Sequence, residues 1–296
     1  GGQAGTIADI CIGSVQPPLT PTPTPTTTPT DPPPTPSNTP TSSLPPVETD
    51  CFPLLMSNIW NGSGFQLGVY TYNPITQLST QINLPQSIGL VGQGIANTST
   101  KLWVIDQGNF YIREWDITIS PWSAVWSRDI LSPNSGFPDL GWIGSSLSTY
   151  RDPITNIVNP NLLVSMGWND LNIGGFQIVL VDISGTIWNK TVLYTFPSIN
   201  RSTGDIVMNQ NGKMIITTID NITGQNYITQ LTYVGGSWQL QLDIPISINN
   251  PQSIFEWGSF FYIPTTNGEL YTIQTLPPYT TSLLGKFIPN LVSDSS

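Results

Sequence analysis

Histidine is missing altogether from the 296 residues, and lysine and arginine together number 8. The first absence removes Ser-His-Asp and Cys-His nucleophilic machinery and every histidine-ligated metal site. The second, set against 18 acidic residues, leaves a formal charge of −10. A nucleic-acid binder would need a basic stripe to neutralise phosphates, so that class is disfavoured. Charge of either sign is scarce, at 9% of residues against roughly 25% in ordinary soluble domains. Thr, Ser, Asn, Gln, Gly and Pro take its place and make a surface of uncharged hydrogen-bonding groups, of the kind common on extracellular β-rich proteins. Long apolar runs are also missing. Stretches such as "FQIVLVDI" fall far short of the roughly 20 residues a membrane-spanning helix needs, and no membrane insertion is expected. The chain opens "GGQAGTIADICIG", without an initiator methionine or the basic-then-apolar pattern of a secretory signal, which reads as a mature, processed or partial chain.

There are 2 cysteines, Cys11 and Cys51, one on each side of a Pro/Thr-rich tract. A disulfide between them would close the tract into a loop and imply an oxidising location; two unrelated thiols are the alternative. The tract itself divides the chain into an N-terminal docking segment (1–16), a linker (17–50) and a globular domain (51–296). Each proline fixes φ near −65° and restricts its predecessor, so the linker favours stiff polyproline II with a reach on the order of 100 Å.

Behind the linker no amphipathic helical stretch is found. Short runs rich in Val, Ile, Tyr, Trp and Thr alternate with Gly/Asn/Asp/Pro turns, the pattern of an all-β sandwich, barrel or propeller. Internal repetition selects the propeller. Five apolar runs each end at a proline: Pro85, Pro133, Pro197, Pro245 and Pro289, spaced 48, 64, 48 and 44 residues apart. Each interval holds a small-residue strand ("IGLVGQGIA", "LGWIGSSL", "GDIVMNQ", "QSIFEWG"), an apolar strand ("KLWVID", "KMIITTID"), a third after a turn and a fourth into the proline. The first repeat lacks its opening strand, and "NLVSDSS" is left over at the C-terminus. The expected fold is therefore a five-bladed β-propeller of four antiparallel strands per blade, closed by the C-terminal strand. Six blades or a truncated longer array are the alternatives.

Propellers carry function on the loops of one face. Here the second-to-third connections are "NIWNGSG", "DQGN", "GWNDLNIGG", "DNITGQN" and "TTNG", which offer Trp60, Trp168, Asp106, Asp170 and Asp220. Exposed tryptophan can stack on a sugar while Asn and Asp accept its hydroxyl protons; the competing reading is turn geometry. Three aspartates could ring a cation, but no calcium-loop spacing is present, and no metal or cofactor is expected. Acid-pair glycosidase chemistry would draw on Glu48, Glu114, Glu256 and Glu269, of which the first lies in the linker and the second mid-strand. Arg113, Arg128, Arg151 and Arg201 occur without an Asp-box pattern, and the chain is read as no enzyme. Sequons stand at Asn61, Asn97, Asn189, Asn200 and Asn221, and the linker threonines suit O-glycosylation.

The Thr-Pro tract at 20–46 together with the aromatic, lysine-poor propeller resembles modules of large phage virion proteins of the fibre or adhesin type. The resemblance covers both parts of the chain and implies a structural or adhesion protein on the outside of a virion. Its partners would be other structural subunits, met through residues 1–50, and cell-surface glycans. A secreted glycan-binding lectin and a subunit of an extracellular filament are the alternative readings.

Overall fold

A computed structural model describes residues 4–11, 51–60, 65–82, 84, 92–98, 100–106, 111–118, 123–129, 142–169, 176–185, 189–197 and 201–286. Every regular element among them is a strand. The strands form five four-stranded antiparallel sheets, each a meander of consecutive strands. Blade 1 holds β1 (Ala4–Cys11), β2 (Cys51–Trp60), β3 (Phe65–Asn73) and β4 (Leu78–Ile82). Blade 2 holds β5 (Gly92–Asn97), β6 (Lys101–Asp106), β7 (Tyr111–Asp116) and β8 (Ser123–Asp129). Blade 3 holds β9 (Trp142–Arg151), β10 (Val158–Asn169), β11 (Phe176–Asp182) and β12 (Asn189–Thr195). Blade 4 holds β13 (Arg201–Met208), β14 (Met214–Asp220), β15 (Asn226–Val234) and β16 (Ser237–Ile246). Blade 5 holds β17 (Phe255–Trp257), β18 (Phe260–Pro264), β19 (Glu269–Gln274) and β20 (Thr281–Lys286).

The core is divided among the gaps between blades. Leu67, Val69, Ile95, Val104 and Trp115 join blades 1 and 2. Trp103, Ile105, Leu163 and Val181 join blades 2 and 3. Val164, Ile178, Ile216 and Leu231 join 3 and 4, and Ile215, Ile244, Phe261 and Ile273 join 4 and 5. Tyr70 and Tyr72 of blade 1 then pack on Phe255, Tyr262 and Leu270 of blade 5. Five sheets joined by five interfaces make a closed ring, the five-bladed β-propeller that the repeat pattern implies. Both faces of a middle strand are buried in such a ring, which is why β6 and β14 read as near-continuous apolar and β-branched runs.

The closing strand differs from expectation. The first position in blade 1 is filled by Ala4–Cys11, which pairs antiparallel with Cys51–Trp60, and not by the C-terminal segment; residues 287–296 lie outside the described residues. Part of the stretch read as a docking segment is thus a blade strand, and the Pro/Thr tract connects two neighbouring strands of one blade. Cys11 and Cys51 are directly opposed in that register. The short alternation "GTIADIC" satisfies the period of a strand, but the tract separates it from its partner in sequence.

First strands line the centre of the ring: β1 packs on β5, β5 on β9, β9 on β13, and β1 also meets β17. Their closeness demands small side chains. A Cβ added at Gly94 would stand 2.7 Å from the Leu147 amide nitrogen and 2.8 Å from Ser146 backbone atoms. Gly94→Ala is therefore expected to force blades 2 and 3 apart at about 1–3 kcal/mol. A shift of the denaturant midpoint at unchanged slope would register this, and an unshifted midpoint would refute the close approach. At the periphery, turn chemistry takes over: Gly235 and Gly236, with φ of 61° and 90°, form the two-residue hairpin between Val234 and Ser237.

Candidate functional site

Of the connections from second to third strands, 61–64, 107–110 and 170–175 lie outside the described residues, and the strand ends that open them are described. Trp60 is opposed to Phe65, Asp106 to Tyr111 and Trp168 to Phe176, so the three occupy equivalent places at the ends of β2, β6 and β10. Asp170, Asn61 and Asn200 lie outside the described residues. The aspartates that are described serve the fold. Asp106 is fully buried, and Arg113 donates to its Oδ2 at 3.3 Å. Asp220 accepts from the amides of Ile222 (2.9 Å) and Thr223 (3.1 Å) through Oδ1, which draws its carboxyl below the usual range.

That arrangement at Asp220 occurs three times. Asn73 holds the amides of Ile75 and Thr76, and Asp152 those of Ile154 and Thr155, in the same way. Each turn is closed by a residue with positive φ, Gln77 (58°), Asn156 (60°) and Gly224 (72°), whose amide returns to the carbonyl of the first residue. The motif Asx-x-Ile-Thr is thus a turn former, with an exposed isoleucine at its tip. Of the described sequons, Asn189 and Asn221 are exposed. Asn97 is 6% exposed with its Nδ2 donating to the Thr98 carbonyl, which leaves no room for an attached sugar.

Glu114 is 3% exposed and receives the Trp103 indole N–H at 2.7 Å and the Lys101 ammonium at 3.0 Å. Glu256 accepts from Asn209, and Glu269 from the Tyr271 hydroxyl. Glu48 lies outside the described residues. Asp116, Asp152 and Asp182 are, like Asp220, drawn downward by local hydrogen bonds, the reverse of what a general acid needs. Among the described residues no three Asp, Glu or Cys side chains gather to hold a metal ion.

One polar constellation was not foreseen. Arg201, Thr218, Thr229 and Asp243 come one from each strand of blade 4 and form a continuous line across it. Arg201 donates through Nε (3.0 Å) and Nη2 (2.9 Å) to Thr218 Oγ1, and through Nη2 to Thr229 Oγ1 (3.1 Å) and Asp243 Oδ1 (2.9 Å). Thr229 donates to the same Oδ1 at 2.6 Å. The guanidinium lies 4.3 Å from the Tyr227 ring centroid. Blade 3 contributes Tyr194, whose hydroxyl is pushed up by burial, further by Asp243, and back by Arg201. Sequence offered one faint signal: Thr218 continues the side of β14 on which Met214 and Ile216 face the apolar gap, so a hydroxyl stands where an aliphatic would be expected.

No protein-family model matches the chain, and no curated protein matches it either. Solved structures with a similar arrangement include the nidogen/laminin complex (13% identity, TM-score 0.42, covering 75% of this chain and 71% of that one). Another is the calcium-binding protein regucalcin from Agrobacterium tumefaciens (16%, TM-score 0.40, covering 66% and 59%). The Dos1 propeller is a third (12%, TM-score 0.42, covering 78% and 55%). The chain is a β-propeller by its own five four-stranded sheets and the apolar interfaces that join them.

Proposed function

We propose that this propeller is a non-enzymatic structural or adhesion protein displayed outside a virion, with its Pro/Thr tract as the part that meets neighbouring subunits. The observation that carries the reading is the opposed pair Cys11 and Cys51 at the root of the tract. Directly opposed strand positions fall within the Cα separation a disulfide requires, so the two thiols can be oxidised to a disulfide with loss of two protons and two electrons to an extracellular dithiol oxidant. The bond would pin β1 in the ring and leave residues 12–50 as a loop held at both ends. As polyproline II, such a loop extends at most about 60 Å from its root, half the contour of an open arm. A composition with only 9% charged residues supports the extracellular location.

A density map of the native particle tests this, with non-reducing peptide mapping beside it. The expected result is a propeller on the outer surface, residues 17–50 against adjacent subunits, and a Cys11–Cys51 linked peptide. A protein absent from the particle, with free thiols, would overturn it. The second reading, a secreted glycan-binding propeller, is favoured by the half-open polar line of blade 4.

A further inference from the structure

We infer that the partly exposed edge of the Arg201–Asp243 pair, on the side of blade 4 that faces blade 3, is a binding site for the vicinal hydroxyls of a neutral sugar. The inference rests on the adhesion reading and names a site for it. Three charged pairs are found among the described residues, and two of them bury the acid: Glu114 is 3% exposed and Asp106 fully buried. In the third, both partners are open, Arg201 at 18% and Asp243 at 27%.

Their bonds to one another and to the threonines use Arg201 Nε and Nη2 and Asp243 Oδ1. Arg201 Nη1 and Asp243 Oδ2 take no partner among the described residues. The result is a donor and an acceptor side by side, each held by bonds to rigid strands, with hydrogen-bonding capacity left over. A guanidinium and carboxylate already paired carry no net charge. They favour a ligand that both donates and accepts, such as a diol, over an anion or a cation. The Tyr227 ring lies against the guanidinium, 4.3 Å from its centroid, and the Tyr194 hydroxyl of blade 3 is near enough to feel both charges. Pre-organisation of this kind lowers the ordering cost that makes a small polar ligand bind weakly.

The test uses the full chain labelled with nitrogen-15 and titrated with galactose, glucose, mannose or N-acetylglucosamine to about 20 mM, beyond the millimolar range a few hydrogen bonds can supply. At least one sugar is expected to shift the Arg201 Nε–H resonance and the Tyr227 ring signals. Asp243→Asn, which keeps the side-chain shape, should weaken that binding about ten-fold or more. Arg201→Lys, which keeps the charge but loses the fork, should do likewise if the asparagine variant fails to fold. Asp152→Asn should leave affinity unchanged, since Asn73 shows that asparagine builds the same turn. Shifts confined to the loops bearing Trp60 or Trp168 would overturn this site while leaving adhesion intact. Silence from every sugar, together with an empty glycan array, would overturn the site and the glycan reading together.

Discussion

Replacing Asp205 with alanine is expected to cost about 3–5 kcal/mol, because one carboxylate holds three blades together. Asp205 stands on β13 with no exposed surface, and both Ser146 of β9 and Ser253, just before β17, donate their hydroxyls to it. The serine bonded on the blade 3 side also receives the Ile206 amide at 2.8 Å, and the Asp205 amide is bonded to Thr217 Oγ1 at 2.9 Å. A hydrogen bond to a charged acceptor contributes about 1.5–3 kcal/mol, and each buried hydroxyl left without its acceptor adds a desolvation penalty. Ser146→Ala should fall short of the aspartate deletion but exceed a surface change, since it also strands the Ile206 amide. The double variant should cost less than the sum of the two. Equilibrium denaturation of the four proteins decides this, and a loss below about 1 kcal/mol for Asp205→Ala would show that the carboxylate contributes little net stability.

This centre also shows what sequence could and could not convey. Gly94, Ser146, Asp205 and Ser253 each precede a buried aliphatic, Ile95, Leu147, Ile206 and Ile254, the first three pairs on the first strand of their blades and the last just ahead of it. The small-residue strands are visible as a repeat because crowding at the axis forbids larger side chains. Which of them would carry the charge, and that it would reach two neighbours at once, depends on how blades pack and is invisible along the chain. Blade number was legible for the same reason the core is: each inter-blade gap needs its own apolar strands, spaced by turns. The strand that opens blade 1 escaped notice because pairing ignores sequence distance, and residues 12–50 stand between Cys11 and its partner. At the ends of the second strands, the register position of Trp60, Asp106 and Trp168 was legible. Asp106 and Asp220 look like ligand residues in sequence, yet one neutralises Arg113 and the other builds a turn. The constellation with open hydrogen-bonding atoms is assembled from four strands, and no local motif announces it.

Tyr72→Ala is expected to cost about 3–5 kcal/mol and to weaken the ring at its seam. Blade 1 and blade 5 share no strand, so their union rests on packing: Tyr72, 1% exposed, lies with Tyr70 against Phe255, Tyr262 and Leu270. Phe255 and Tyr262 are stacked with ring centroids 4.7 Å apart. Loss of the Tyr72 ring leaves a cavity that the stacked pair cannot fill without breaking its own contact. Hydrogen exchange should then lose protection first in blades 1 and 5, while blade 3 keeps it; a uniform loss would argue against a seam. The hydroxyl gives a second, independent readout. Burial, reinforced by Tyr262, pushes the Tyr72 pKa from 10.0 up to about 12. The unfolded chain therefore releases this proton before the folded one does. The stabilisation is whole below pH 10 and is lost as pH rises to about 12. Tyr72→Phe retains the ring and removes the proton, so it should stay close to the parent at neutral pH and show a shallower decline across the alkaline window. If the two proteins decline in parallel there, another tyrosine governs the alkaline limb, and the seam must be probed at Tyr262 instead.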